Sequence, residues 1–221
     1  MDVLIIGAGG HGKVVLDILR AEGRFRPVAF LDADTTLSGS QVHGLPVLGQ
    51  VNLLPKLRQK AQGAIVAIGD NRARAGHVEM LRQQGWEVAN AVHPSAVISP
   101  TARLGVNVVI AAGAVVGPDA EIGDGVIINT SAVVDHECQI AASVHICPAA
   151  ALGGRVRIGE QAFIGLGSRI IQCLTIGCQS IVGAGAVVLE DVPDYATVVG
   201  VPARVVKVGR PAGMPVETCA I

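Results

Sequence analysis

The chain has 221 residues, half of them apolar, 16% charged, and a net charge of −1. That length has room for one large or two small domains, and the even charge leaves no basic footprint for nucleic acid or an anionic membrane. No run reaches the roughly 18 uninterrupted apolar residues of a membrane span, and residues 1–8 lack the basic start of a secretory leader.

From the N-terminus, residues 3–6 (VLII) read as a short strand ending at Gly7. "GAGGHG" follows, with glycines at 7, 9 and 12, and then a helical spacing over about 14–23, where Val14, Val15, Ile18 and Leu19 share a face. A second strand, Val28 to Leu31, ends at Asp32. Strand, Gly-rich turn, helix and strand with a terminal acid satisfy the G-x-G-x-x-G nucleotide fingerprint, in which glycines let backbone N–H groups approach a phosphate at a helix N-terminus. Residues 33–44 read as a loop, Val47–Leu48 as a minor strand, Leu53–Lys60 as a helix, Ala64–Ile68 as a strand and Asn71–Gln84 as a helix. Gly69, Asp70 and Asn71 follow a strand, where open α/β sheets bind ligands. Residues 1–89 are therefore expected to form a truncated Rossmann-like α/β domain, with half a dinucleotide site and room for a mononucleotide.

From Val92 to Val188 every sixth residue is Leu, Ile or Val, without a slip in register. A second column four places on, from Ala96 to Val192, is mostly small. The place after the aliphatic is often glycine, as at Gly105, Gly117, Gly153 and Gly165. Period six fits neither a helix nor a simple alternating strand; it fits short flat strands joined by tight corners, with glycine expected to supply the corner dihedrals. One rung buries nothing alone, so rungs must stack. A content of 2% aromatic residues suits such a narrow interior. Residues 90–192 are expected to be this all-β repeat, and residues 193–221 a tail that is mobile from Gly209 onward. The five cysteines form no Cys-x-x-Cys pair, so buried thiols in a reducing, cytoplasmic setting are favoured and no metal is expected.

Polar residues break the repeat in "INTSAVVDHECQIAASVHI". His136 lies two places after an inward aliphatic, at a corner, and is expected to point outward. A histidine beside a carboxylate is held in one tautomer and is suited to take a proton. A solvated surface histidine is the competing reading. Cys138 falls in the small inner column and reads as core.

The repeat units "IGDGVI", "IGEQAF", "IGCQSI" and "VGAGAV" resemble those of the hexapeptide-repeat acyltransferases. "GAGGHG", "FLDAD", "AIGDN", "HPSAVISP", "NTSAVVDHEC" and "GVPA" extend the likeness to the nucleotide-sugar N-acetyltransferases acting on bacillosamine or perosamine precursors, and to the sialic acid O-acetyltransferases. The resemblance implies a left-handed parallel β-helix of between five and six coils, three hexapeptides to the coil. It implies acetyl-CoA as co-substrate and a homotrimer with the cofactor between neighbouring β-helices. By matching position, His136 is the general base and Glu137 its partner; His145 meets the thioester; Leu166 and Ala184 line the pantetheine. Asn129 lies near the acceptor sugar, while Gly9, Gly10, His11, Asp32, Ala33 and Gly69 hold the nucleotide sugar. Ala184 replaces a glycine of the pattern, and Ala33 stands where some members carry a second acid. The implied reaction is direct transfer of acetyl to the 4-amino group of a nucleotide-linked 4-amino-4,6-dideoxy sugar, UDP-linked in preference to GDP-linked. The competing functions are an O-acetyltransferase of a sialic-acid-type sugar, an NAD-dependent oxidoreductase and a β-helix zinc hydrase.

Overall fold

A computed structural model describes residues 1–209, which divide into two compact units, Met1–Pro94 and Ser95 onward. The expectation of a mobile tail falls, Gly209 apart, outside the described residues.

The first unit is a four-stranded parallel sheet. Strand β1 is Asp2–Ile6, β2 Arg26–Leu31, β3 and β4 the short antiparallel pair Gln41–Val42 and Leu45–Pro46, β5 Gly63–Val66 and β6 Glu87–Val88. The sheet order is β2-β1-β5-β6. Val3, Leu4, Ile5 and Ile6 of β1 are buried at 0–1% exposure, as a central parallel strand covered on both faces must be. Helix α1, Gly10–Glu22, buries Val15, Leu16, Ile18 and Leu19, and helix α2, Asn71–Gln83, buries Val78 and Leu81. Helix α1 starts earlier than its apolar spacing suggested, because the Gly-rich turn itself forms its first turn. The Asp70 carboxylate caps α2 by accepting from the Ala73 N–H at 2.8 Å. The expected helix over Leu53–Lys60 is instead a 3₁₀ segment, Val51–Leu57, with Pro55 inside it. Proline lacks the N–H that an α-helix interior needs, which explains the tighter, shorter form. Val47 makes only an isolated bridge to Phe30.

The second unit is a parallel β-helix. Two-residue strands stack in strict register, each residue beside the one eighteen places on: Val115 with Val133, Gln139 with Arg157, His145 with Phe163. Three flat faces result. The first runs from Val109–Ile110 through His145–Ile146 to Ile181–Val182 and continues into Ala196–Val199, which pairs antiparallel with Arg204–Val208. The second holds six strands from Val97–Ile98 to Val187–Val188, and the third five from Arg103–Leu104 to Thr175–Ile176. The aliphatic column is the interior: Ile110, Ile128, Ile146, Ile164 and Val182 are each at 0% exposure. The small column packs beside it, with Ala114, Ala132, Cys138, Ala150 and Ala162 also at 0%.

The corners correct one expectation. The glycine after the aliphatic is not the left-handed residue. Positive φ recurs two places later, at Asn107, Asp119, Ser131, Glu137, Ser143 and onward every six residues, and most of these residues are not glycine. The glycines at 117 and 153 serve a different need: a Cβ there would lie 2.7 Å from the backbone nitrogen of His136 and of Gln172 on the next coil. They let successive coils approach. The cysteines are also mixed: Cys138 and Cys147 are buried free thiols, whereas Cys173 is exposed, so the expectation of buried thiols fails there because its corner side chain faces solvent.

Candidate active site

In the first unit the chain turns from β1 into α1 at Gly7, whose φ of +106° is closed to most side chains. Asp32 pins that turn. Its Oδ2 accepts from the Ala8 N–H at 2.7 Å and its Oδ1 from the Asp34 N–H at 2.8 Å. Gly12 must be glycine, because a Cβ would lie 2.1 Å from the Gly7 carbonyl oxygen. The result is a cavity of about 650 Å³ lined by Gly9, Gly10, His11, Asp32, Ala33 and Gly69, all six of which the sequence pointed to. Gln50, Asn52 and His77 also line it. Sequence reasoning missed these three: Gln50 and Asn52 lie just before a segment read as an ordinary helix, and His77 lies inside the segment read only as the helix Asn71–Gln84. Burial pushes the His77 pKa down. Among the described residues no lysine or arginine lines the cavity, so the N-terminus of α1 and its backbone N–H groups are the elements there that would favour an anion. Below the Ile68–Asn71 loop lies Arg74, fully buried, donating to the Ile68 and Gly69 carbonyls at 2.9 and 3.2 Å and to Asn71 Oδ1 at 2.7 Å.

In the second unit, two sets of polar residues occupy two different edges of the prism. His136 and Glu137 lie at the corner between the second and third faces, with side chains 46% and 53% exposed. His136 points outward, as its spacing required. Its Nδ1 is 2.9 Å from Glu137 Oε2. The carboxylate can only accept, so Nδ1 carries the hydrogen and Nε2 of the neutral ring keeps its lone pair. Asp135 Oδ1 accepts from the His136 N–H at 2.7 Å and steadies the corner. Glu137 adopts the left-handed φ of 57° that each corner of the prism demands. Cys138, next along, turns inward; its thiol donates to the Gly153 carbonyl, and burial pushes its pKa up to about 11, which suppresses the thiolate a nucleophile needs.

His145 opens a strand of the first face, and Asn129 lies just past the strand before it. Asn129 Nδ2 and His145 Nε2 are 3.2 Å apart, so the amide donates to the ring. Phe163 meets the His145 ring edge-on at 5.3 Å between centroids. The Asn129–His145 pair is a finding of the structure; sixteen residues of separation hid it from the sequence. Leu166, at 57% exposure, and Ala184 lie on the same edge, one coil apart, open to solvent. One prism thus brings His136 to Glu137, and His145 to Asn129, but keeps the pairs on separate edges. Between them lies the second face, whose outward column reads Val97, Val115, Val133, Ala151, Arg169 and Val187. Among the described residues no three His, Cys, Asp or Glu side chains converge as a metal would require, and no helix is long and apolar enough to cross a membrane.

A stacked parallel prism with an outward imidazole–carboxylate pair, in one chain with a Rossmann-like unit that holds a Gly-rich cavity, defines a left-handed β-helix acyltransferase of the nucleotide-sugar class. Residues 2–81 match the PglD N-terminal domain family. A mutant of perosamine N-acetyltransferase from Caulobacter crescentus, solved with CoA and GDP-perosamine, is 48% identical, with a TM-score of 0.89 over 93% of this chain and 96% of that one. The acetyltransferase domain of PglB from Neisseria gonorrhoeae FA1090, solved with acetyl coenzyme A, is 41% identical, with a TM-score of 0.89 over 93% of this chain and 98% of that one. A UDP-N-acetylbacillosamine N-acetyltransferase of Bacillus subtilis (strain 168) is 38% identical over 114 residues, which is 50% of this chain and 51% of that relative, so the match spans about half of each. The chain belongs to the nucleotide-sugar N-acetyltransferase family.

Proposed function

We propose that this enzyme transfers acetyl from acetyl-CoA to the 4-amino group of a nucleotide-linked 4-amino-4,6-dideoxy sugar, with His136 as general base. The amine attacks the thioester carbonyl, Nε2 of His136 takes the proton it sheds, and the tetrahedral intermediate collapses to amide and CoA thiolate, which takes up a proton as it leaves. Glu137 holds the ring through Nδ1 and balances the imidazolium that forms. The observation that carries this reading is the 2.9 Å Nδ1–Oε2 contact, which puts the hydrogen on Nδ1 and leaves the lone pair on Nε2. Asp32 orders the Gly-rich turn that receives the nucleotide diphosphate at the N-terminus of α1, and Gly69 and His11 border the same cavity.

The acetyl-CoA site is made by two copies of the chain. His145, Leu166 and Ala184 of one copy, with Asn129, face His136 and Glu137 of the next, and three copies close the ring. The outward column of the second face, apolar at every rung but Arg169 and lying between the two half-sites, supports that packing. The base is GDP-linked guanine in preference to uracil, on the strength of the 48% identity to a transferase solved with GDP-perosamine. The uridine reading, which the sequence favoured, keeps one support in the Bacillus subtilis relative. A thiol-release assay with acetyl-CoA and a panel of GDP- and UDP-linked 4-amino-4,6-dideoxy sugars tests it. Turnover with the GDP-linked amine is expected; turnover confined to UDP-linked acceptors reverses the base, and turnover confined to hydroxyl acceptors overturns the N-acetyl reading.

A further inference from the structure

The corner that carries His136 recurs on each coil, with Pro118 one coil before it and Gly154 and Gln172 one and two coils after. The imidazole does not stand clear of the prism. It leans along the axis onto the following coil. A Cβ built on Gly154 would lie 2.4 Å from His136 Nε2, 2.5 Å from Cε1 and 3.0 Å from Cδ2. Contacts that short do not occur between real side chains, so the ring fits only because residue 154 is glycine.

This glycine differs from its neighbours. At Gly153 and Gly117 an added Cβ meets backbone of the adjacent coil, so those glycines serve coil stacking. At Gly154 the three nearest atoms all belong to the His136 ring. Its φ is outside the left-handed region, so alanine costs the backbone nothing. An alanine there meets the imidazole rather than the backbone of the prism.

We propose that Gly154 is a positioning residue for the proton transfer: it is the seat that, together with Glu137, fixes the plane of the His136 ring and aims Nε2. The proposal rests on the base role given to His136 above. A single hydrogen bond at Nδ1 leaves the ring free to swing about that contact. Gly154 removes that freedom by receiving the Nε2–Cε1 side of the ring. With a methyl group on residue 154, either the Glu137 contact breaks or Nε2 turns away from the acceptor. A displacement of about 1 Å in a catalytic group costs up to about a hundredfold in rate.

A double-mutant cycle in the full chain tests this, with Gly154→Ala, His136→Ala and the combination assayed by thiol release and by thermal melting. Gly154→Ala is expected to lower kcat at least tenfold, to leave KM for acetyl-CoA within about twofold, and to add no further loss in the His136→Ala background. Full activity of Gly154→Ala while His136→Ala is inactive overturns the seat and leaves the base role standing. Near-normal activity of His136→Ala overturns the base role instead. Losses that multiply show that Gly154 acts without the ring and also overturn the seat. Should Gly154→Ala melt early, the combined variant must recover the lost melting temperature, because truncating His136 removes the clash; failure to recover it counts against the proposal.

Discussion

Truncating Ile146 to alanine puts the stacked interior to a quantitative test. Ile146 is at 0% exposure and lies in register between Ile128 and Ile164, both also at 0%. The substitution removes three carbon atoms, a transfer loss of about 2.4 kcal/mol. The neighbours sit on two-residue strands held by hydrogen bonds to both adjoining coils and cannot collapse inward. A residual cavity of roughly 70 Å³ then adds about 1.7 kcal/mol, for a total near 4 kcal/mol. For a chain of this size that lowers the melting temperature by about 8–16 °C. Thermal denaturation followed by circular dichroism and calorimetry reads it. Because each coil touches only its neighbours, amide exchange should quicken around Ile128 and Ile164 and stay slow at β1. A loss below about 1 kcal/mol would mean that the aliphatic column is not a close-packed interior.

Three further outcomes follow from single groups. Arg74→Met strips the Ile68 and Gly69 carbonyls and Asn71 of a buried guanidinium, so stability should fall by about 3 kcal/mol in urea titration; KM for the nucleotide sugar should rise several-fold with KM for acetyl-CoA unchanged, and an unaltered urea midpoint would contradict this. Of Cys138, Cys147 and Cys173, only Cys173 should react with iodoacetamide in the native protein at pH 8, as mapped by mass spectrometry, because burial raises the other two thiols to about 11. His77 is held below the ordinary histidine value of 6.5 by burial, so the unfolded chain takes up a proton first as pH falls. Stability should therefore drop in the window just below pH 6.5, and His77→Gln should flatten that slope in melts across the range; an unchanged slope would remove His77 as its source.

Much of the second unit was legible in the sequence because a six-residue period maps directly onto rungs. Ile110 to Val188 predicted the interior residue by residue, and the same period put His136 outside. The corners were misread for a physical reason: glycine after the aliphatic answers to the closeness of the next coil, an interaction eighteen residues away, while the left-handed dihedral falls on residues as ordinary as Asp119 and Glu137. In the first unit the glycine turn and Asp32 were legible from local spacing. Gln50, Asn52 and His77 were not, because a cavity wall assembled from separate segments leaves no periodic trace. The Asn129–His145 bond and the seat at Gly154 were hidden in the same way, since each joins successive coils.

The proton-transfer role of His136 is the claim on which the account turns, and single-turnover acetyl transfer by His136→Ala tests it most directly. Acetyl-CoA binding, measured by calorimetry, should be unchanged, while the rate of the chemical step falls at least about a hundredfold and recovers in part with added imidazole. A variant that binds acetyl-CoA normally and acetylates its acceptor at close to the native rate would contradict it.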